Sequence, residues 1–185
     1  MSKSKEEAPS RQEAQIEGLL ADKGVKIKKK QSVDELSAKG YGTIDDGELV
    51  LNFYEALYLV DKGSLKVKNS DGVQISFNEI LKLSEKNDEN SWAKYLVYRD
   101  LRSRGYVVRE GFGLGVDFRA YERGEYSKDT AKYLVVSLQE GKTMTLEYLA
   151  QTLKQCQSLK KELILAVMSR RGEIVYYSVS QLNLK

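Results

Sequence analysis

The alternation of apolar and polar positions divides the chain into two series of short elements separated by a polar run. Residues 16–30, IEGLLADKGVKIKKK, predict two short strands around the Asp22–Gly24 turn. Ser32, with Glu35 at the capping-box position and Gly40 as the stop, predicts a short helix. TIDDGELVL predicts a hairpin on Asp46-Gly47, a pair that tolerates the positive φ of a tight turn. Phe53, Ala56, Leu57 and Val60 keep helical spacing up to Gly63. A hairpin at Asn69 to Gly72 and a helix from Ser76 to about Leu83 follow, and EKNDENS (85–91) is predicted to be a linker.

The second series has longer elements. Ser91 to Arg104 predicts a helix with Trp92, Tyr95, Leu96 and Tyr98 toward a core and Arg99, Arg102 and Arg104 outside. Gly105 ends it and a strand begins at Tyr106. GFGLGVDFRAY reads as a glycine-punctuated approach to a strand, and YLVVSL as the next strand. After the QEGK turn comes an amphipathic helix with Leu146, Leu149, Ala150 and Leu153 on one face. The strands LILAV and IVYYSVSQL, joined by SRRGE, complete the pattern. The expected fold is α/β (α+β). A small N-terminal α+β domain (15–85) precedes a C-terminal mixed-sheet domain (91–185), behind a disordered tail (1–14). In the last strand Val175, Tyr177 and Val179 face one way and Ile174 and Tyr176 the other. Such an edge either pairs with another subunit or lies over its own core.

Composition narrows the chemistry. Charged residues at 31% and hydrophobic residues at 41% suit a soluble globular protein, expected to be cytoplasmic. Apolar runs such as Leu163 to Met168 are too short to span a bilayer, and no signal peptide is read at the start. Cys156 stands alone, which excludes a disulfide framework and a cysteine metal site. The chain has 185 residues and no histidine. A Ser-His-Asp triad, a histidine zinc centre and histidine acid–base catalysis are therefore all excluded, and no cofactor is expected. The net charge of +3 permits RNA binding without requiring it. GFGLG at Gly111 to Gly115 precedes a strand rather than a helix, so it is not a phosphate loop.

The runs AKGYGTIDDGELVLNFYEALYLVDKG, YRDLRSRGYVVREGFGLGVDFRAYE, AKYLVV, LKKELILAV and VYYSV together resemble the archaeal tRNA-intron (tRNA-splicing) endonucleases. The resemblance covers about residues 15 to 185. It implies a restriction-endonuclease-like C-terminal domain and a precursor tRNA substrate. It also implies metal-free cleavage at a bulge–helix–bulge, leaving a 2′,3′-cyclic phosphate and a 5′-hydroxyl. Members assemble as tetramers or as dimers of fused repeats, and some lineages pair a catalytic with a structural subunit. The family's triad of Tyr, His and Lys falls on Tyr121, Thr130 and Lys161. Its base-stacking arginine falls on Lys154, and Lys160, Arg170 and Arg171 add to a candidate RNA-binding surface.

Two departures bear on role. A threonine hydroxyl has the acidity of an alcohol and cannot protonate a leaving alkoxide near neutral pH. Lysine at 154 keeps charge but loses the planar stacking fork. Both departures point to a structural subunit in a heterotetramer with a catalytic endonuclease subunit. The family's acidic docking loop is matched by a net basic turn, Ser169 to Glu173, which leaves assembly with another chain or with itself open. Two alternatives also stay open. One is a catalytic chain that uses a substitute acid or whose histidine was replaced by engineering. The other is a metal-dependent nuclease built on Asp117, Glu140 and Lys142.

Overall fold

The computed structural model describes residues 15–111, 113–126 and 130–182. The expected tail over 1–14, and Lys128 and Asp129 ahead of Thr130, lie outside them. In the first half, β1 (Ile16–Ala21) and β2 (Gly24–Ile27) form the expected hairpin. Gly24 has φ 151°, and a Cβ there would stand 2.0 Å from the Leu51 carbonyl oxygen, so only glycine allows this approach. β3 (Thr43–Asp45) and β4 (Glu48–Leu51) turn on Asp46 and Gly47, both at positive φ. β5 (Leu65–Lys68) pairs parallel to β1 and antiparallel to β6 (Gln74–Ile75), giving the order β3-β4-β2-β1-β5-β6.

Helices α1 (Lys30–Ala38), α2 (Phe53–Asp61) and α3 (Phe77–Asn87) share a core with one face of this sheet. Val25, Ile27, Leu49, Leu51, Leu65 and Val67 cluster there with Val33, Leu36, Ala56, Leu57 and Ile80. Each such aliphatic side chain contributes about 1.5–3 kcal/mol. The expected cap at Ser32 is corrected. The helix starts three residues earlier, with Lys29 as the N-cap, because Val33 N–H bonds the Lys29 carbonyl just after β2 ends, and Ser32 is buried in the first turn. A true capping box forms at Ser76 and Glu79, and Glu55 accepts a hydrogen bond from the Asn52 amide in the same sense.

The second sheet has the order β11-β10-β9-β8-β7. Its strands are β7 (Val107–Glu110), β8 (Phe118–Tyr121), β9 (Tyr133–Gln139), β10 (Glu162–Met168) and β11 (Ile174–Val179). α4 (Ser91–Ser103) covers one face, where Phe118, Ala120, Val135, Ala166 and Met168 meet Tyr95, Leu96 and Tyr98. α5 (Leu146–Ser158) crosses between the parallel strands β9 and β10 and covers the other, meeting Leu134, Val136 and Leu163. Burial on both faces explains why YLVVSL is a continuous apolar run rather than an alternating one.

Three sequence expectations change here. Trp92 lies in the first turn of α4, beyond the core, and is 38% exposed with its ring tilted against Tyr95. On α5 the inner stripe is Leu149, Thr152, Leu153 and Cys156; Ala150 is exposed, and Leu146, at the overhanging first residue, is 83% exposed. EKNDENS joins the two halves as a compact corner rather than an extended linker. α3 runs through Asn87, and the Ser91 hydroxyl bonds the Ser84 and Asp88 carbonyls to close a tight corner.

Beyond that corner the halves share one apolar cluster. Tyr54 and Tyr58 of α2 pack on Tyr98 of α4, with ring centroids 4.9 and 5.7 Å away, and Tyr54 also meets Phe118 of β8 edge-on at 5.1 Å. Beside the rings, Glu55 is buried and accepts from the Gly42 and Asn52 amides at 3.0 and 2.9 Å. Burial pushes its carboxyl above the usual range, partly opposed by those two amides, Arg109 and Arg102. Arg109 donates to the Gly40 and Gly42 carbonyls, and Arg102 to the Lys39 carbonyl.

Candidate active site

Strand direction brings the three positions that the resemblance assigns to the triad to one end of the second sheet. β8 runs antiparallel to β9, and β9 runs parallel to β10. The C-terminal end of β8 therefore meets the N-terminal ends of β9 and β10. Ala120, Tyr133 and Glu162 form one row across these strands. Tyr121 lies one step beyond that row on β8, and Lys161 one step before it on β10. Two strand spacings place their backbones about 10 Å apart. Since Ala120 faces α4 and Leu163 faces α5, alternation puts Tyr121 and Lys161 on the same, α5-side face. The Tyr121 ring is largely buried, edge-on to Tyr126 with centroids 5.1 Å apart.

Lys161 is held by the way α5 ends. Lys160 N–H bonds the Gln157 carbonyl and Lys161 N–H bonds the Cys156 carbonyl, the double closure of a Schellman motif. The left-handed residue of that motif is usually glycine, but here it is Lys160 at φ 56°. Lys161 Nζ reaches across and donates to the Thr130 hydroxyl oxygen. A left-handed conformation costs a side-chain-bearing residue about 1–2 kcal/mol. Lys160→Gly is therefore expected to stabilise the fold by up to about 1 kcal/mol in urea titrations, after glycine's own entropy cost. The same variant should weaken RNA binding. Unchanged RNA affinity would remove Lys160 from the RNA-binding set.

A second group at this end was not singled out from sequence. Lys132 Nζ donates to Glu122 at 2.9 Å, and the Tyr133 hydroxyl donates to the same oxygen at 3.1 Å. These bonds hold the Glu122 carboxyl below its usual range, while its hydrogen bond to Glu122 raises Lys132. Glu122 follows Tyr121 directly, Lys132 just precedes β9 and Tyr133 opens it, so the signal lay in residues flanking the candidate triad positions.

The other candidates do not join one surface. Lys154 and Lys160 are exposed on the last turns of α5 and just after it, near Lys161. Arg170 and Arg171 occupy the turn after β10, about 23 Å from Lys161 along a seven-residue strand. The single basic patch expected from sequence is therefore two. The metal alternative is not assembled either. Asp117 pairs with Lys94 at 2.9 Å and accepts from the Ser137 amide at 2.6 Å. Glu140 accepts from the Arg170 amide, and Lys142 donates to Asn90 and pairs with Glu89. Among the described residues no three His, Cys, Asp or Glu side chains are grouped to hold a metal ion.

Comparison with known proteins bears on both halves. Residues 91–176 match the tRNA intron endonuclease catalytic C-terminal domain, and residues 16–81 match the tRNA intron endonuclease N-terminal domain. The chain is 34% identical over 169 residues to the tRNA-splicing endonuclease of Methanococcus maripaludis, covering 91% of this chain and 96% of that protein. The chain belongs to the tRNA intron endonuclease family. The tRNA-splicing endonuclease of Methanothermobacter thermautotrophicus is 36% identical over 166 residues, 89% of this chain and 96% of its own. That of Pyrococcus abyssi is 31% identical over 165 residues, 89% and 95% of the two chains. Within this tRNA intron endonuclease chain, Tyr121, Thr130, Lys154, Lys160, Lys161, Arg170 and Arg171 all fall inside the catalytic-domain match. No described helix is long and apolar enough to cross a membrane.

Proposed function

We propose that this chain is a structural subunit of a tRNA-splicing endonuclease, acting on precursor tRNA beside a partner chain that carries the catalytic histidine. The observation that supports this reading is that Thr130, which the resemblance sets at the family's histidine position, accepts through its hydroxyl from Lys161. Cleavage to a 2′,3′-cyclic phosphate proceeds by attack of a 2′-hydroxyl on the adjacent phosphorus. A base removes the 2′ proton, a cation offsets charge on the phosphorane, and an acid protonates the departing 5′-oxygen. Tyr121 and Lys161 match the base and the cation. Thr130 offers no proton of useful acidity.

The edge strand β11 supports a role in assembly. Ile174 and Tyr176 pack on the α4 side, while Val175 and Tyr177 are 48% and 54% exposed. An unpaired strand edge beside exposed apolar side chains favours addition of another chain.

Thr130→His tests the assignment. The variant is expected to cut a bulge–helix–bulge RNA in chelator at least about tenfold faster than the native chain. Its pH profile should report one group near the ordinary imidazole value, about 6.5. A native chain that cuts as fast as the variant would sink the structural role.

A further inference from the structure

The outer face of the first sheet carries a charge pattern that the candidate active site does not use. β1, β2, β4 and β5 turn alternate residues toward helices α1 to α3, so the intervening residues face outward. Leu19 is in register with Lys26 of β2 on one side and with Lys68 of β5 on the other. Two strand spacings set these lysines about 10 Å apart across the sheet. Glu17 is in register with Lys66, and Lys28 lies one alternation beyond Lys26. Lys28 and Lys29 line, with Lys26 and Lys68, an open groove of about 420 Å³ bounded by the Asn69–Gly72 turn.

Two glutamates temper this face without neutralising it. Glu48 pairs with Lys26 and Lys28 at 3.4 and 3.3 Å, and Glu17 pairs with Lys68 at 2.7 Å. Hydrogen bonds from Lys68 to Glu17, and from Lys28 to Glu48, hold both carboxyls below their usual range, so they are ionised at neutral pH. Five lysines against these two glutamates and Asp71 of the bounding turn leave a local excess of two positive charges, most of the whole chain's net charge of +3. The ammonium groups are spread at strand spacing over a shallow surface rather than converging on one point. That arrangement suits a repeating polyanion better than a single small anion.

We propose that this face is a second RNA-contacting surface, holding the phosphate backbone of precursor RNA outside the bulge–helix–bulge. It rests on the tRNA-splicing reading above. Contacts of this kind position an RNA and displace its counterions without reading sequence.

The test uses the full chain and two RNAs, a complete precursor tRNA and a minimal bulge–helix–bulge duplex, with binding followed by fluorescence anisotropy over a salt series. The triple variant Lys28→Ala, Lys29→Ala, Lys66→Ala removes three exposed ammonium groups. On complete precursor its salt slope is expected to be shallower by about two, and Kd to rise by about tenfold. Binding to the minimal duplex should not change. Lys66→Glu alone, at an exposed strand position, should shift affinity in the same direction. An unchanged Kd and slope on complete precursor overturns the proposal. An equal loss on both RNAs overturns it too, because that marks a general charge effect. If the native chain mixed with a histidine-bearing partner chain binds neither RNA, the tRNA-splicing reading itself fails and this face falls with it.

Discussion

Alone and in the presence of a chelator, the purified chain is expected to leave a bulge–helix–bulge RNA uncut, and a histidine-bearing partner chain to restore cutting. A positioned general acid contributes about 10²–10⁴-fold, or about 3–5 kcal/mol of barrier. That is the expected gap between single-turnover rates with and without the partner, read from labelled RNA on a denaturing gel. The chelator separates two routes. Cutting by the chain alone that chelator abolishes would favour the Asp117, Glu140 and Lys142 alternative. The commitment of Asp117 to Lys94 and the Ser137 amide argues against that result. Chelator-resistant cutting by the chain alone, at the rate of the mixture, would end the structural-subunit proposal.

The second large effect is on stability. Phe118 is fully buried between Tyr54 of the first half and Tyr98 of the second. Phe118→Ala removes a ring and leaves a cavity, at a cost of about 3–5 kcal/mol. Against a total of about 5–15 kcal/mol for an ordinary domain, this is a large fraction. Because the cluster is continuous between the halves, urea unfolding is expected to stay a single transition at a lower midpoint. Tyrosine and tryptophan fluorescence should coincide with circular dichroism throughout. A two-step curve in the variant, with one sheet outlasting the other, would show that the halves fold independently.

Much of the architecture was legible from local chemistry. Asp46-Gly47 specified its hairpin because both residues must take positive φ there, and Ser76 with Glu79 marked a helix start through reciprocal hydrogen bonds. What local pattern could not supply was orientation against the rest of the fold. The stripe on α5 is rotated from Leu146 and Ala150 to Thr152 and Cys156 because the sheet beneath the helix selects the buried side. EKNDENS looked like a linker because it is polar, yet Ser84 and Ser91 bond across it in a buried corner. At the candidate site, the family resemblance proposed Tyr121, Thr130 and Lys161, which lie at one end of the second sheet. The Glu122, Lys132 and Tyr133 network needed the pairing of β8 with β9 to become visible. Arg170 and Arg171 were expected to share one basic surface with Lys154 and Lys160, and the length of β10 separates them.

The crossover through α5 has a consequence for the order of assembly. The β1–β2 and β3–β4 hairpins join neighbours in sequence, whereas Lys161 meets Thr130, 31 positions earlier in the chain. Closing so long a loop costs entropy before any contact repays it, and parallel pairing of this kind is slow. Both sheets contain such a pair, β9 with β10 here and β1 with β5 in the first sheet, so each needs a long-range closure to be complete. On the ribosome Thr130 emerges 31 positions ahead of Lys161, so this end of the sheet can close only after all of α5 has been made.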